Sequence, residues 1–255
     1  MATQPAPQEL LNPGIPLKRE WGTALKALRK LLANGDDTEQ VFRIMRALNG
    51  DVTQRNYRRL LTLPGGGRIA FRHVELAEKL SDRAWIDEFA EGTVGAAYRH
   101  FLDSTGYSAD GLVEVSMAAS TFQGIDVEHP YAWMGRRERD IHDLWHVITG
   151  YQADEHLGEA CLVAFSYAQT GGMGWAFIAA GAALKSIRVT GKLDFLRAVA
   201  EGYRHGKRAA WLHGEDYETL LAEPIDQARR RLRIGNPKLY RIAQASLAAQ
   251  GLKGI

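Results

Sequence analysis

The sequence predicts an all-α protein: a single multi-helix domain with a metal site on a His-Asp-x-x-His helix and an adjacent helix. Three observations carry this expectation. Apolar residues recur at helical spacing along most of the 255 residues,. No run of strict apolar/polar alternation reaches strand length with turn chemistry at its ends. Neither an internal repeat nor a low-complexity linker divides the chain, whose length suits one sizeable core. Residues 1–17 are Pro-rich and read as an extended arm, and 18–255 read as one domain.

The elements follow in order. Trp21, Leu25, Leu28 and Leu32 mark a first helix. Val41, Ile44, Met45 and Leu48 mark a second, started near Asp37 or Thr38 and stopped at Asn49-Gly50,. A third runs over 53–61 and halts at Pro64-Gly65-Gly66-Gly67. That turn reads as a connector, since no strand and no Lys-Ser/Thr accompany it in the register a phosphate cradle needs. A longer helix is expected over 81–102 through Trp85, Phe89 and Tyr98, closed by Gly106. Another is expected over 112–119, then a loop over 124–131. The motif helix spans 132–149 and ends at Gly150. A second helix covers 155–169, and Gly171-Gly172-Met173-Gly174 breaks the chain before an apolar helix over 175–188. Residues 193–212 are amphipathic, with Arg197, Arg204, Lys207 and Arg208 among them. Pro224 suits the first position of a helix over 225–232, and 238–249 forms the last.

Composition narrows the function classes. The chain is 45% apolar and 24% charged, as soluble globular proteins are,. A net charge of +2 is far from a nucleic-acid-binding balance, and leaves a weak preference for an anionic lipid surface or substrate,. The single cysteine, Cys161, cannot form an internal disulfide and fits a reducing compartment as a small buried residue,. The N-terminus lacks the charged and apolar regions of a secretory signal. The most apolar run, 173–184, is shorter than the roughly 20 residues a membrane span requires. It suits a core helix, a helix in the membrane interface, or the wall of a lipid pocket.

His142-Asp143-Leu144-Trp145-His146 carries the chemistry. At about 100° per residue, His142, Asp143 and His146 fall at about 0°, 100° and 40° on one arc of a helix. Imidazole nitrogens and carboxylate oxygens suit divalent first-row metals. Glu138 lies one turn earlier, and the next helix brings Glu155, His156 and Glu159. Two nitrogens and two carboxylate oxygens suit zinc, and also iron or manganese if water positions stay open. Glu138 and Asp140 are the nearest acceptors for the non-ligating ring nitrogens. His156 rivals Glu159 as a ligand. Ser116 and Ser120 have no His-Asp partners nearby, so no hydrolase triad is supported. Residues 170–174 could bind an anion at a helix start or serve only as a break. The basic stretch 203–208 could grip a carboxylate or phosphate, or be a solvated face.

The stretch Arg139-Asp140-Ile141-His142-Asp143-Leu144-Trp145-His146-Val147-Ile148-Thr149-Gly150, followed by Leu157-Gly158-Glu159, resembles the Coq4 family of ubiquinone (coenzyme Q) biosynthesis proteins. Tyr203-Arg204-His205-Gly206-Lys207, Asp216-Tyr217-Glu218 and Pro224 extend the similarity, which runs over about 22–233 and is specific over 139–159. The resemblance implies an all-α fold with His142, Asp143, His146 and Glu159 matching the family's metal ligands. It implies removal of the C1 carboxylate from a polyprenylated benzoate-type precursor and hydroxylation there, at a membrane surface, alongside other ubiquinone-biosynthesis proteins. One departure stands out: twelve residues separate His146 from Glu159, one more than the family's usual spacing. A helix beginning before the extra residue would turn Glu159 by about 100° and favour Glu155 or His156.

On this reading Asp143 and Arg204 serve catalysis, Arg204 as a clamp on an anionic group. The cofactor is a divalent metal, zinc first. The apolar helix over 173–188 bounds a channel for the prenyl tail. The expected location is cytoplasmic, peripheral on the inner membrane, and a homodimer is allowed. Two alternatives stand beside it. One is a non-catalytic lipid-binding scaffold with a structural metal. The other is an HD-type metal phosphohydrolase, which would need His100 or His129 and Asp194 or Asp216 to converge on His142.

Overall fold

A computed structural model of the chain describes residues 18–35, 37–108 and 129–251. The arm over 1–17, the expected helix over 112–119 and most of the expected loop over 124–131 lie outside the described residues. Among those residues there is no strand, only an isolated bridge between Thr93 and Pro224. The helices are α1 (Trp21–Ala33), α2 (Thr38–Leu48), α3 (Val52–Leu61), α4 (Gly66–Arg72), α5 (Leu76–Ser81), α6 (Arg83–Asp87) and α7 (Val94–Thr105). They continue as α8 (Pro130–Asp140), α9 (His142–Thr149), α10 (His156–Thr170), α11 (Met173–Thr190) and α12 (Asp194–Arg208). After a 3₁₀ turn at Leu212–Gly214 come α13 (Tyr217–Leu221), α14 (Ile225–Arg231) and α15 (Lys238–Ala248).

The core centres on α10, which is buried almost all round from Leu157 to Thr170. A helix apolar on every side needs neighbours on every side. Here α12, α11, α9 and α15 supply them. Its closest approach is to α12, and two glycines one turn apart permit it. A Cβ at Gly202 would run into the Cys161 carbonyl oxygen, and one at Gly206 into the Phe165 carbonyl oxygen. Gly206, read in the sequence as part of a basic stretch, is therefore a packing residue. Its own carbonyl accepts a hydrogen bond from the Gln169 side chain at 2.8 Å.

Two expectations need correction, and a third gains detail. The helix over 81–102 is two helices, α6 and α7. Asp82 caps the first, accepting from Trp85 N–H at 3.2 Å, and Thr93 caps the second, accepting from Ala96 N–H at 3.2 Å,. Between them Gly92 takes φ +82°. The break docks on a distant segment: Val94 N–H donates to the Glu223 carbonyl and Ile225 N–H to the Gly92 carbonyl, both at 2.9 Å. Next, the motif helix divides at Ile141, whose ψ of −4° lies far from the helical mean,. Just before it, the Asp140 carboxylate accepts from Ala77 N–H at 3.2 Å and from Arg139 at 2.7 Å. Finally, the glycine run at 65–67 does more than connect. Gly65 turns at φ +79°, and Gly66 opens α4 so close to the Leu60 carbonyl that no Cβ would fit.

The inner face of α11 is packed tightly against α1 and α2. Gly181 abuts the Leu28 side chain and Gly174 abuts Met45. Trp21 meets Phe177 edge to face at 6.0 Å. On its outer side α11 exposes Leu184 and Val189.

Candidate metal centre

Two helix starts and one turn build the site. His142 opens α9 and His146 lies one turn on, so both imidazoles leave the same side,. Gly150 ends α9 at φ +78°, a left-handed cap that glycine adopts without steric cost,. The chain reverses there, and the Tyr151 carbonyl returns to accept a hydrogen bond from His146 Nδ1–H at 2.8 Å. That bond fixes the tautomer and turns the Nε2 lone pair outward. After the turn over 150–155, α10 begins at His156, three residues before Glu159. Gly158 lets this turn lie against α10, since a Cβ there would strike the Gln152 carbonyl. Glu159 then faces the histidines. Its Oε1 lies 3.1 Å from His146 Nε2 and its Oε2 lies 3.7 Å from His142 Nε2.

The ligand atoms of His142, His146 and Glu159 all lie within 4.8 Å of one another. Two ligands at about 2.2 Å from one ion stand at most about 4.4 Å apart, so the set needs only a small contraction to close on a metal. A direct observation supports the fit. His146 Nε2 is buried and faces the Glu159 carboxylate at 3.1 Å, with no other partner among the described residues. A buried polar atom is costly unless paired, and a cation at this point would satisfy it. The Glu159 side chain is 40% exposed, so the group opens to solvent on one side.

The charges reinforce one another. Burial would lower the His146 pKa, but the Glu159 and Asp143 carboxylates and the Tyr151 carbonyl outweigh it and hold it above its ordinary value. Burial would raise Glu159, but the two imidazoles hold it well below the usual carboxylate range. Burial pushes Asp143 up, against the pull of both histidines. The signs give a prediction. Without metal, the His146 contribution to stability is full below its unfolded value near 6.5 and fades as pH rises through its raised native value. The Glu159 contribution is full above about 4.5 and is lost as pH falls through its depressed native value. The metal-free pair should therefore stabilise most between about pH 4.5 and 6.5. Metal needs His146 neutral, so affinity should fall with acidification, starting above pH 6.5. Zinc titrations between pH 5 and 8 check this, and a pH-independent affinity would contradict it.

The other sequence candidates are placed as follows. Asp143 is buried on the same turn and coupled in charge to both histidines and Glu159, but its oxygens do not join the group within 4.8 Å. Glu155 accepts from the Tyr240 hydroxyl and from Gln244 Nε2, tying α10 to α15. His156 packs on Gly35. Neither stands in for Glu159. Arg204 is exposed on α12, without a described contact to the cluster. His100 pairs with Glu91, His129 caps α8, Asp194 pairs with Arg197, and Asp216 with Arg68. The convergence that an HD-type phosphohydrolase needs is therefore not found. Asp140, expected as a partner for the ring nitrogens, instead accepts from Ala77 and Arg139.

Sequence reasoning missed the aromatic surround. Phe101 on α7 stacks on His146, centroids 6.3 Å apart and 16° from parallel. Trp175 on α11 stacks on His142 at 5.8 Å and 5°. Tyr107 adds an edge to Phe101 and is half exposed. These residues come from helices remote in sequence, and no local pattern marks them.

Comparison with known proteins agrees with this picture. The family model described as "Coenzyme Q (ubiquinone) biosynthesis protein Coq4" matches residues 19–238. A ubiquinone biosynthesis protein COQ4 homolog, mitochondrial, from Danio rerio is 28% identical over 183 residues, covering 71% of this chain and 63% of that protein. The mitochondrial ubiquinone biosynthesis protein COQ4 of Scheffersomyces stipitis is 28% identical over 190 residues, covering 73% and 55%. The chain thus spans less than two thirds of the length of these relatives. A crystal structure of a Nostoc punctiforme protein, provisionally described as a ubiquinone biosynthesis protein, shares the fold. Its TM-score is 0.57 at 20% identity, covering 86% of this chain and all of that one.

Proposed function

The chain belongs to the Coq4 family of coenzyme Q (ubiquinone) biosynthesis proteins, and from that premise we propose that it is a metal-dependent enzyme of ubiquinone synthesis. Its substrate is a polyprenylated benzoate-type ring, and it replaces the C1 carboxylate with a hydroxyl. One observation carries the reading: the half-exposed Glu159 leaves His142, His146 and Glu159 open on one side, with His146 Nε2 facing the Glu159 carboxylate. A structural metal sits in a closed shell, whereas a catalytic one keeps an open position. The opening therefore favours an enzyme over a pure scaffold.

A divalent ion held there, zinc first and iron or manganese as alternatives, would supply a Lewis acid for an anionic oxygen. The protein's own residues do the rest. Tyr151 holds His146 in one tautomer. Phe101 and Trp175 back the two imidazoles and offer apolar faces beside the opening, suited to an aromatic ring. Asp143 stands on the same turn with its oxygens outside the group, and we assign it as the fourth ligand through a side-chain rotation that accompanies metal binding. With water as the oxygen source, the exchange of carboxylate for hydroxyl releases carbon dioxide, one proton and two electrons. A two-electron acceptor such as dioxygen is therefore a required co-reactant.

Arg204 enters as a contact for the substrate's anionic group arriving from solvent. Arg204→Ala should lower turnover several-fold and leave metal content and melting temperature intact; unchanged turnover would remove Arg204 from the site. The α11–α12 corner presents exposed Leu184, Val189, Leu193 and Leu196 beside Arg188, Lys192 and Arg197. Apolar residues flanked by cations suit an anionic lipid surface. No helix among the described residues is long and apolar enough to cross a membrane. From the apolar and cationic corner we place the protein peripherally, on the cytoplasmic face of the inner membrane with its pathway partners.

The test is carbon dioxide release from carboxyl-labelled substrate, with metal-loaded protein and dioxygen present. Release that vanishes in Asp143→Asn and after chelation is expected. Full release by chelated protein would overturn the reading.

A further inference from the structure

Glu138, in the last turn of α8, faces two groups from distant parts of the chain. The Trp175 indole N–H, in the first turn of α11, donates to its Oε1 at 3.1 Å. His213 Nε2, in the 3₁₀ turn, stands 3.6 Å from its Oε2. His213 is fully buried between Trp211 and Trp145, and neither of its ring nitrogens has a hydrogen-bond partner among the described residues. Glu138 is itself only 11% exposed. A carboxylate so withdrawn from water is costly unless its oxygens are used, and here they meet an indole and an imidazole. The indole then lies flat on His142.

The two imidazoles of the cluster are held differently. His146 is almost fully buried and bonded to a backbone carbonyl. His142 is 17% exposed, and its ring rests on Trp175. We propose that Glu138, backed by His213, is a positioning residue for the metal centre: through the Trp175 N–H it clamps the indole in one orientation, and the indole fixes the ring of His142. This role rests on the metal reading of His142, His146 and Glu159. Glu138 is thereby a partner of His142 at one remove, joined through an aromatic ring.

The test is a double-variant cycle read by cobalt binding to the full chain, followed by the visible spectrum of the bound ion. Glu138→Ala and Trp175→Phe should each weaken cobalt binding about 10–100-fold, as loss of an outer-shell partner does. Glu138→Gln keeps an acceptor for the indole and should rescue most of the affinity. The double variant Glu138→Ala/Trp175→Phe should bind no more weakly than the weaker single one, because both changes cut the same link. Singles with native affinity, or losses that multiply in the double variant, overturn the proposal. A purely structural Glu138 would lower the melting temperature and leave the affinity of the folded protein unchanged, which also overturns it. Native protein that takes up no cobalt overturns the metal reading itself, visible before any variant is made, and the positioning role falls with it.

Discussion

His146→Ala is expected to abolish tight metal binding. The ring is buried, its Nδ1–H is bonded to the Tyr151 carbonyl at 2.8 Å, and its Nε2 points at Glu159 with no other partner among the described residues. Losing a ligand should cost more than the roughly 10–100-fold typical of outer-shell changes. The metal-free protein should also lose stability. The Tyr151 carbonyl is left unpaired in a buried turn, a penalty of about 1–3 kcal/mol, and a cavity opens under Phe101,. Because such a variant could fail to fold, Glu159→Gln is its companion. Glu159 is half exposed, so that change should spare the fold and still remove most of the metal. Elemental analysis and circular dichroism of both variants check this. A well-folded His146→Ala protein with full metal content would contradict the assignment.

Gly202→Ala should be a strongly damaging small substitution where α12 meets α10. The added methyl would meet the Cys161 carbonyl oxygen, which belongs to the backbone of α10 and cannot rotate away. Overpacking of this kind costs about 1–3 kcal/mol, or about 2–12 °C in Tm for a chain of this size. The displaced helix is also the one that carries Glu159, so metal affinity should fall with stability. Gly22→Ala is the control: nothing lies within 4 Å of a Cβ there, and alanine is the better helix former,. Thermal melts of the two variants decide the matter. Equal melting temperatures would show that α10 and α12 are not held by glycine contact.

Local chemistry made much of this legible in the sequence. The first three helices, the five over 155–208 and 225–249, and the glycine caps follow from periodicity and turn residues whose effects act within a few positions,. The histidine pair was equally visible, since i,i+4 spacing fixes a shared face. Glu159 was less secure because its direction depends on where α10 begins. That start is set by the turn over 150–155 packing on Gly158, a contact no spacing rule encodes. The break between α6 and α7 was hidden for a similar reason, because its backbone groups pair with Glu223 and Ile225. Phe101 and Trp175 could not be read at all, since tertiary packing alone brings them to the imidazoles. Gly206 and His213 each carry a role that depends on a neighbour remote in sequence.

The central claim is that His142, His146 and Glu159 hold one divalent ion. The most direct test is elemental analysis of the purified full chain after equilibration with zinc, iron and manganese in turn, followed by desalting. The account predicts about one equivalent of a single metal retained by the native protein and almost none by Glu159→Gln. Folded protein that retains none of the three, or that retains equal amounts with Glu159 replaced, would contradict it.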